Sequence, residues 1–246
     1  GFAIPDLKGT LVTQKQRQYA ARPEYLQRII ERSKLYLYHI VEEIEKRGMP
    51  TELALLPMVE SAFNPMAYSR AHASGLWQFI PGTGRRFELQ QNWWYDGRRD
   101  IVESTKAALD YLTFLYEMHG DWHLALASYN WGEGAVARAI AKNRAAKKPT
   151  DYWSLTMPPE TRQYIPKLQG KLQNENFVVG PSNRFAHAAA TGSMAPLAGT
   201  PKRRKPGRPA SCTLSPNPGA STRNADDAEL ADPGSAAISA WGGSVA

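Results

Sequence analysis

A carboxylate at the end of an apolar run is the first place in this chain where chemistry could sit. Glu60 closes the stretch that contains Leu53, Leu55, Leu56 and Val59, and it precedes Ser61-Ala62-Phe63-Asn64-Pro65. A carboxyl group so placed is partly desolvated. Desolvation penalises the charged form and raises the pKa, which keeps the acid protonated near neutral pH and fit to donate a proton. The position also suits a structural carboxylate, paired with an arginine or accepting from backbone N–H groups. A second stretch, Ser69 to Thr83, mixes Gly75 and other small residues with Ser69, Trp77 and Gln78, side chains that hydrogen-bond or cover a sugar ring. It lacks Gly-Lys-Ser/Thr and a preceding strand, so it does not read as a nucleotide loop. His72, His119 and His123 lack metal-ligand spacing, because the gap from His119 to His123 straddles a break at Gly120-Asp121. No metal and no cofactor are expected. Ser61 and Ser69 carry no nucleophile signature.

The elements that must position these residues read as helical. From Pro23 onward Leu26, Ile29, Ile30, Leu37, Ile40, Val41 and Ile44 recur at three-and-four spacing, the apolar face of one helix stopped by Gly48 and Pro50. Thr51 is then expected to cap a short buried helix that Pro57 kinks. Asp100 and Glu103 resemble a capping box opening a helix that ends at His119-Gly120. Asp121 is expected to cap the next, the turn Asn130 to Gly134 to break it, and Ala135 to Lys142 to resume. No alternating strand pattern of useful length occurs, so the domain reads as all-α.

The same residues carry a resemblance. Glu60-Ser61-x-Phe63-x-Pro65, then Ser69 and Gly75-Leu76-Trp77-Gln78-x-x-Pro81-x-Thr83, then Ala127-Ser128-Tyr129-Asn130-x-Gly132 resemble, in order, the motifs of the family 1 soluble-type lytic transglycosylase domain. The similarity runs from about Gln14 to about Lys171 and takes in Tyr95-Asp96-x-Arg98-Arg99-Asp100, Asp151 to Leu155, and Glu160-Thr161-x-Gln163-Tyr164-x-Pro166-Lys167. The resemblance implies a lysozyme-like, mainly helical domain that cleaves the β-1,4 bond between N-acetylmuramic acid and N-acetylglucosamine in peptidoglycan. It implies Glu60 as catalytic acid and base, and Ser69, Gln78, Tyr129, Asn130 and Tyr164 around the cleft, binding sugar or orienting the acid. It further implies that the muramic C6 hydroxyl attacks C1, giving 1,6-anhydromuramic ends, where ordinary glycosidases use two carboxylates. Family members commonly have Met or Ile at Trp77 and Ala at Ser128, differences expected to alter saccharide stacking. Glu52, Glu103 and Glu133 are second-carboxylate candidates better explained as a first-turn residue, a cap and an exposed turn residue. Trp93, Trp94, Tyr95, Trp122, Trp131 and Trp153 are candidate sugar platforms, at least half of them expected in the core.

Composition sets the outer bounds. With 42% hydrophobic and 22% charged residues over 246 positions, and no apolar run of membrane-spanning length, the chain reads as water-soluble and globular. The single cysteine, Cys212, excludes an internal disulfide. From Gly180 to the end only Phe185 and Trp241 are aromatic, while proline and glycine are dense. Such a segment cannot offset about 1–2 kcal/mol of backbone entropy per residue. The expected organisation is an N-terminal extension, 1–22, a catalytic domain, 23–179, and a disordered tail, 180–246. The +7 charge, from 30 Lys and Arg against 23 Asp and Glu, suits an anionic wall. Lys202 to Pro209 vaguely resembles an AT-hook, but no nucleic-acid partner is expected; the expected partner is the peptidoglycan glycan strand and the expected state a monomer. The chain opens at Gly1 without an apolar leader and reads as a trimmed form; the peptidoglycan substrate that the resemblance implies places it, as an exported protein, in the periplasm or cell envelope, with room for a membrane anchor upstream. The rival functions are a non-catalytic wall-binding or scaffold protein and a lysozyme-type hydrolase.

Overall fold

The computed structural model describes residues 4–172. The expected tail, 180–246, and the last residues of the expected 23–179 domain lie outside the described residues. The helices are α1 (Thr10–Ala20), α2 (Pro23–Ser33), α3 (Leu37–Lys46), α4 (Leu56–Glu60), α5 (Pro81–Arg86), α6 (Ile101–His119), α7 (Trp122–Trp131), α8 (Glu133–Ala145) and α9 (Pro159–Leu172), with 3-10 turns at Thr51–Leu55 and Gly97–Arg99. Among the described residues only isolated β-bridges occur, at Tyr68–Ser74, Ser74–Phe79 and Gln91–Asp96. The fold is all-α.

Two of the expected caps form. Asp100 accepts from the N–H groups of Val102 and Glu103, each at 2.9 Å, and Asp121 accepts from Leu124 at 2.8 Å. Gly120, at φ 66°, ends α6 in the left-handed conformation that glycine adopts without a Cβ penalty. Elsewhere the sequence reading needs correction. The helix expected from Pro23 through Ile44 is two helices, because the Ser33 hydroxyl donates to the Ile30 carbonyl at 2.8 Å and a turn follows, with Tyr36 N–H on Ser33 O at 3.0 Å. That turn leaves Leu35 at the surface and returns Leu37 to the core, preserving the apolar phase that suggested one helix. Thr51 does not cap: it is buried in the 3-10 turn, and Pro50 takes the preceding position. Pro57 lies in the first turn of α4, where its missing N–H costs nothing, so it marks the 3-10-to-α seam without kinking a helix. The break expected over Asn130 to Gly134 narrows to Gly132, at φ 92°. The segment set apart as 1–22 contains α1, which packs on α9 with Val12 and Tyr19 buried.

The core is built around α7, whose residues Leu124 to Asn130 are all buried and which packs against α6, α8 and α9. Ala125, Ala127 and Ser128 let those neighbours approach closely. α4 is buried along its whole length and lies against α9. α9 is held from its other side by α1: a Cβ on Gly170 would come within 2.8 Å of the Lys15 Cβ and 3.0 Å of the Gln16 nitrogen. The chain before α1 is stitched down as well. Leu7 N–H donates to Gln169 Oε1 at 2.9 Å, and Ile4 N–H to Glu52 Oε1 at 3.1 Å. Glu60, at the end of α4, is thereby pressed against a helix braced from behind.

Candidate active site

Glu60 is 6% exposed. Tyr164, from the middle of α9, donates its hydroxyl proton to Glu60 Oε1, across 104 residues of sequence. On the same helix Lys167 and Lys171 follow at three and seven residues from Tyr164, spacing that puts the three on one face. Both lysines are buried. Lys171 Nζ donates to the carbonyl of Met58 at 2.8 Å and lies over the rings of Tyr19 and Tyr25, 5.0 and 5.6 Å from their centroids. A buried cation needs such partners; here it ties α9 to the backbone two residues before Glu60.

Burial raises the Glu60 pKa from its ordinary 4.5 to about 7, and the charge of Glu160 adds to the rise. The Tyr164 hydrogen bond, Lys167 and Lys171 oppose it by favouring the carboxylate. Burial and the neighbouring Glu60 push Tyr164 well above the ordinary phenol range. The pair therefore comprises an acid poised near neutrality and a phenol that stays protonated.

The loops facing α4 are strained and tightly tied. Four of the six non-glycine residues with positive φ among the described residues are Ala62, Phe63, His72 and Gln78, and such conformations cost about 1–3 kcal/mol each unless neighbours enforce them. The enforcing contacts are visible. Ser61 Oγ donates to Leu76 O at 2.9 Å, joining the residue after Glu60 to the glycine-containing loop. Gly75, at φ 85°, lets the Arg98 carbonyl come so close that a Cβ would lie 1.9 Å from its oxygen. Arg98 grips Asp96 through Nε at 2.8 Å and Nη2 at 2.7 Å, and its Nη1 donates to His72 O at 2.7 Å and Phe79 O at 3.0 Å.

The expected site residues occupy different parts of this arrangement. Tyr164 touches Glu60. Gln78 Nε2 donates to Gly75 O at 2.8 Å, and Ser69 Oγ accepts from Ala73 N–H at 3.1 Å, so both brace the loop. Tyr129 is fully buried, its hydroxyl on Trp77 O at 2.9 Å. Asn130 Oδ1 accepts from Thr161 Oγ1 at 2.9 Å and joins α7 to the start of α9. Trp77 is no sugar platform: its indole is fully buried and donates to Thr105 Oγ1 on α6 at 3.1 Å. Nor is Glu133 an exposed turn residue. It opens α8, half-buried, accepting from Tyr111 at 2.8 Å and Arg86 at 2.5 Å. Residue patterns alone gave no signal for Lys171, Glu160 or the grip of Arg98. Among the described residues no group of His, Cys, Asp or Glu is arranged to hold a metal ion.

Comparison with known proteins shows what this buried, near-neutral glutamic acid in a mainly helical domain is similar to. Residues 38–151 match the transglycosylase SLT domain. Through this segment the chain is similar to SLT-domain transglycosylases. The membrane-bound lytic murein transglycosylase D of Escherichia coli (strain K12) is 49% identical over 158 residues, covering 64% of this chain and 35% of that protein. A putative tributyltin chloride resistance protein of Alteromonas sp. (strain M-1) is 52% identical over 117 residues, 46% of this chain and 56% of that protein. A putative soluble lytic murein transglycosylase of Haemophilus influenzae is 32% identical over 111 residues, 43% of this chain and 18% of that protein. The chain thus spans about a third of the length of the transglycosylase D relative. Among the described residues no helix is long and apolar enough to cross a membrane.

Proposed function

We propose that this protein is a lytic transglycosylase of the bacterial cell envelope, acting as a monomer on peptidoglycan glycan strands at the bond between N-acetylmuramic acid and N-acetylglucosamine. Residues 23–179 form its catalytic unit, with α1 as a buttress. The observation that carries the reading is the buried Glu60, its pKa about 7, in hydrogen-bond contact with Tyr164. Tyr164 engages Oε1, so the transferable proton rides on Oε2. Glu60 gives that proton to the glycosidic oxygen as the C1–O bond breaks, and the N-acetyl oxygen of the same sugar stabilises the positive charge at C1. The Glu60 carboxylate then removes the C6 hydroxyl proton as that oxygen bonds to C1. Glu60 ends protonated, no water is consumed, and the product carries a 1,6-anhydro ring. Ser69 and Gln78 set the shape of the loop beside the cleft, while the buried Tyr129 and Asn130 hold that loop and α9 in place around Glu60.

The test is mass spectrometry of muropeptides released from isolated sacculi in water enriched in heavy oxygen. Products one water lighter than hydrolysis products, without incorporated label, are expected. Labelled reducing ends would instead make the protein a lysozyme-type hydrolase. Binding without release would make it a non-catalytic wall protein.

A further inference from the structure

Two tryptophans stand out of the surface on a rigid turn. Trp93 is 87% exposed and Trp94 70% exposed, unusual for the largest apolar side chain. Their ring centroids are 4.4 Å apart with the planes at 72°, so one indole can present a face while the other forms a side wall. The turn is held from within. Asn92 Oδ1 accepts from Trp94 N–H at 3.2 Å and Tyr95 N–H at 2.8 Å, Asn92 N–H donates to Tyr95 O at 2.9 Å, and Gln91 bridges to Asp96. Below the indoles lies a recess of about 450 Å³ whose polar wall comprises Asn92, Asp96, Arg99 and Asp100, a size within the range of small-molecule sites. Of the residues described around the candidate active site, only Asp96, the partner of Arg98, lines it.

The chemistry of this recess matches a sugar ring. Such a ring has an apolar C–H face suited to an aromatic plane and an edge of hydroxyl and amide groups that need hydrogen-bond partners. Both are offered here, and the rigid turn lowers the ordering cost of binding. The rim charges argue against an anionic lipid surface, because Asp96 and Asp100 flank the indoles and Arg99 is already engaged, with its Nε on Ser74 Oγ at 3.0 Å. The base of the turn is continuous with the candidate active site: Arg98 joins it to the His72 and Phe79 carbonyls of the loop that carries Gln78.

From these observations we infer that the Trp93–Trp94 turn is a second saccharide-binding surface, which holds uncharged N-acetylhexosamine rings of a glycan strand apart from the bond being cleaved. This inference rests on the proposed action on peptidoglycan, and its test separates the two. In a Glu60→Gln background, which leaves the polymer uncut, co-sedimentation with isolated sacculi is compared for the parent and for Trp93→Ala/Trp94→Ala. The double variant is expected to bind at least about tenfold more weakly, the loss typical of removing central aromatic anchors. Its melting temperature should not change, since both side chains lie outside the core. Trp93→Tyr/Trp94→Tyr should restore most of the binding. Tryptophan fluorescence of the parent should shift on titration with N-acetylglucosamine tetramer, and the shift should vanish in the alanine variant.

Unchanged sacculus binding in the alanine variant overturns the inference. So does a loss that appears only on phosphatidylglycerol vesicles, or a change only in self-association, either of which assigns the indoles to a membrane or to a second copy of the chain. If the wild type releases labelled hydrolysis products while tetramer binding still depends on the indoles, the lytic reading fails and the saccharide surface stands.

Discussion

Replacing Glu60 with glutamine should stabilise the protein in alkaline solution while removing its activity. The free carboxyl group ionises near 4.5, but in the fold burial holds that transition back to about 7. Below pH 4.5 both states carry a proton, and the buried neutral acid costs nothing extra. Between the two values the unfolded chain releases its proton and the native one keeps it, so stability falls as pH rises; above about pH 7 the loss is complete. At about 1.4 kcal/mol per pH unit, the gap between 4.5 and about 7 corresponds to about 3 kcal/mol. Glutamine has the same shape and still accepts from Tyr164, but it does not ionise and escapes this loss. Denaturant unfolding of wild type and Glu60→Gln should therefore agree within about 1 kcal/mol at pH 4 and diverge by about 3 kcal/mol at pH 8.5, with the variant the more stable. For a domain of this size the divergence corresponds to about 6–12 °C in melting temperature. Activity moves the opposite way, falling by roughly 10⁴-fold or more because one group serves two proton transfers. A stability difference that does not vary with pH would refute the premise that the fold holds Glu60 protonated.

Other perturbations probe the same arrangement. If catalysis begins with protonated Glu60, kcat/KM falls as pH rises through about 7; Glu160→Gln removes a charge that raises this pKa and should move the falling limb to lower pH, whereas Lys167→Met should move it higher. Tyr164→Phe removes a hydrogen bond that favours the carboxylate, so pH–rate profiles should show its limb moved higher as well. Gly75→Ala puts a Cβ 1.9 Å from the Arg98 carbonyl oxygen at a φ of 85°, and urea unfolding should register a loss of about 3 kcal/mol or more. Deleting residues 1–22 removes the buried Val12 and Tyr19, uncovers the face of α9 that α1 covers and takes one ring from beside Lys171; the shortened chain should be less stable by about 5 kcal/mol, measured by denaturant unfolding.

What could be read before the structure followed the range of the forces involved. Asp100, Gly120 and Asp121 mark helix ends through contacts within four residues, and those ends form where the sequence places them. The turn between α2 and α3 was hidden because Leu37 re-enters the core in phase with Ile30, and hydrophobic spacing records only phase. Thr51 misled because its own burial outweighs its capping propensity. Glu60 could be singled out from the apolar run before it, but Tyr164 entered only through a resemblance between ordered motifs: no local pattern joins residues 104 positions apart. Lys171 left no trace, since a lysine near the end of a helix ordinarily reads as solvated, and only the packing of α1, α2 and α4 reveals the two rings and the carbonyl that accommodate its charge. Trp77 is buried with its indole N–H on Thr105 of α6, whereas Trp93 and Trp94 stand exposed, a difference set by packing between segments distant in sequence.

The value near 7 for Glu60 fits the proposed use of one group as both acid and base. A general acid works best when its pKa lies near the working pH, and so does a general base; a group that must be both in one turnover has no other favourable setting. Burial alone would make the acid too reluctant to part with its proton. The opposing influences, Tyr164, Lys167 and Lys171, favour the carboxylate, the species that in the proposed mechanism follows the first transfer and accepts the C6 proton. Tyr164 suits this task better than a third cation would. Its own ionisation is pushed far up by burial and by Glu60, so it remains a donor throughout and supports the carboxylate without competing for the proton. All three arise from α9, so the helix braced by α1 at Gly170 also sets the acidity of the residue it faces. Loosening that brace should therefore change the pH at which the acid works as well as the stability of the fold.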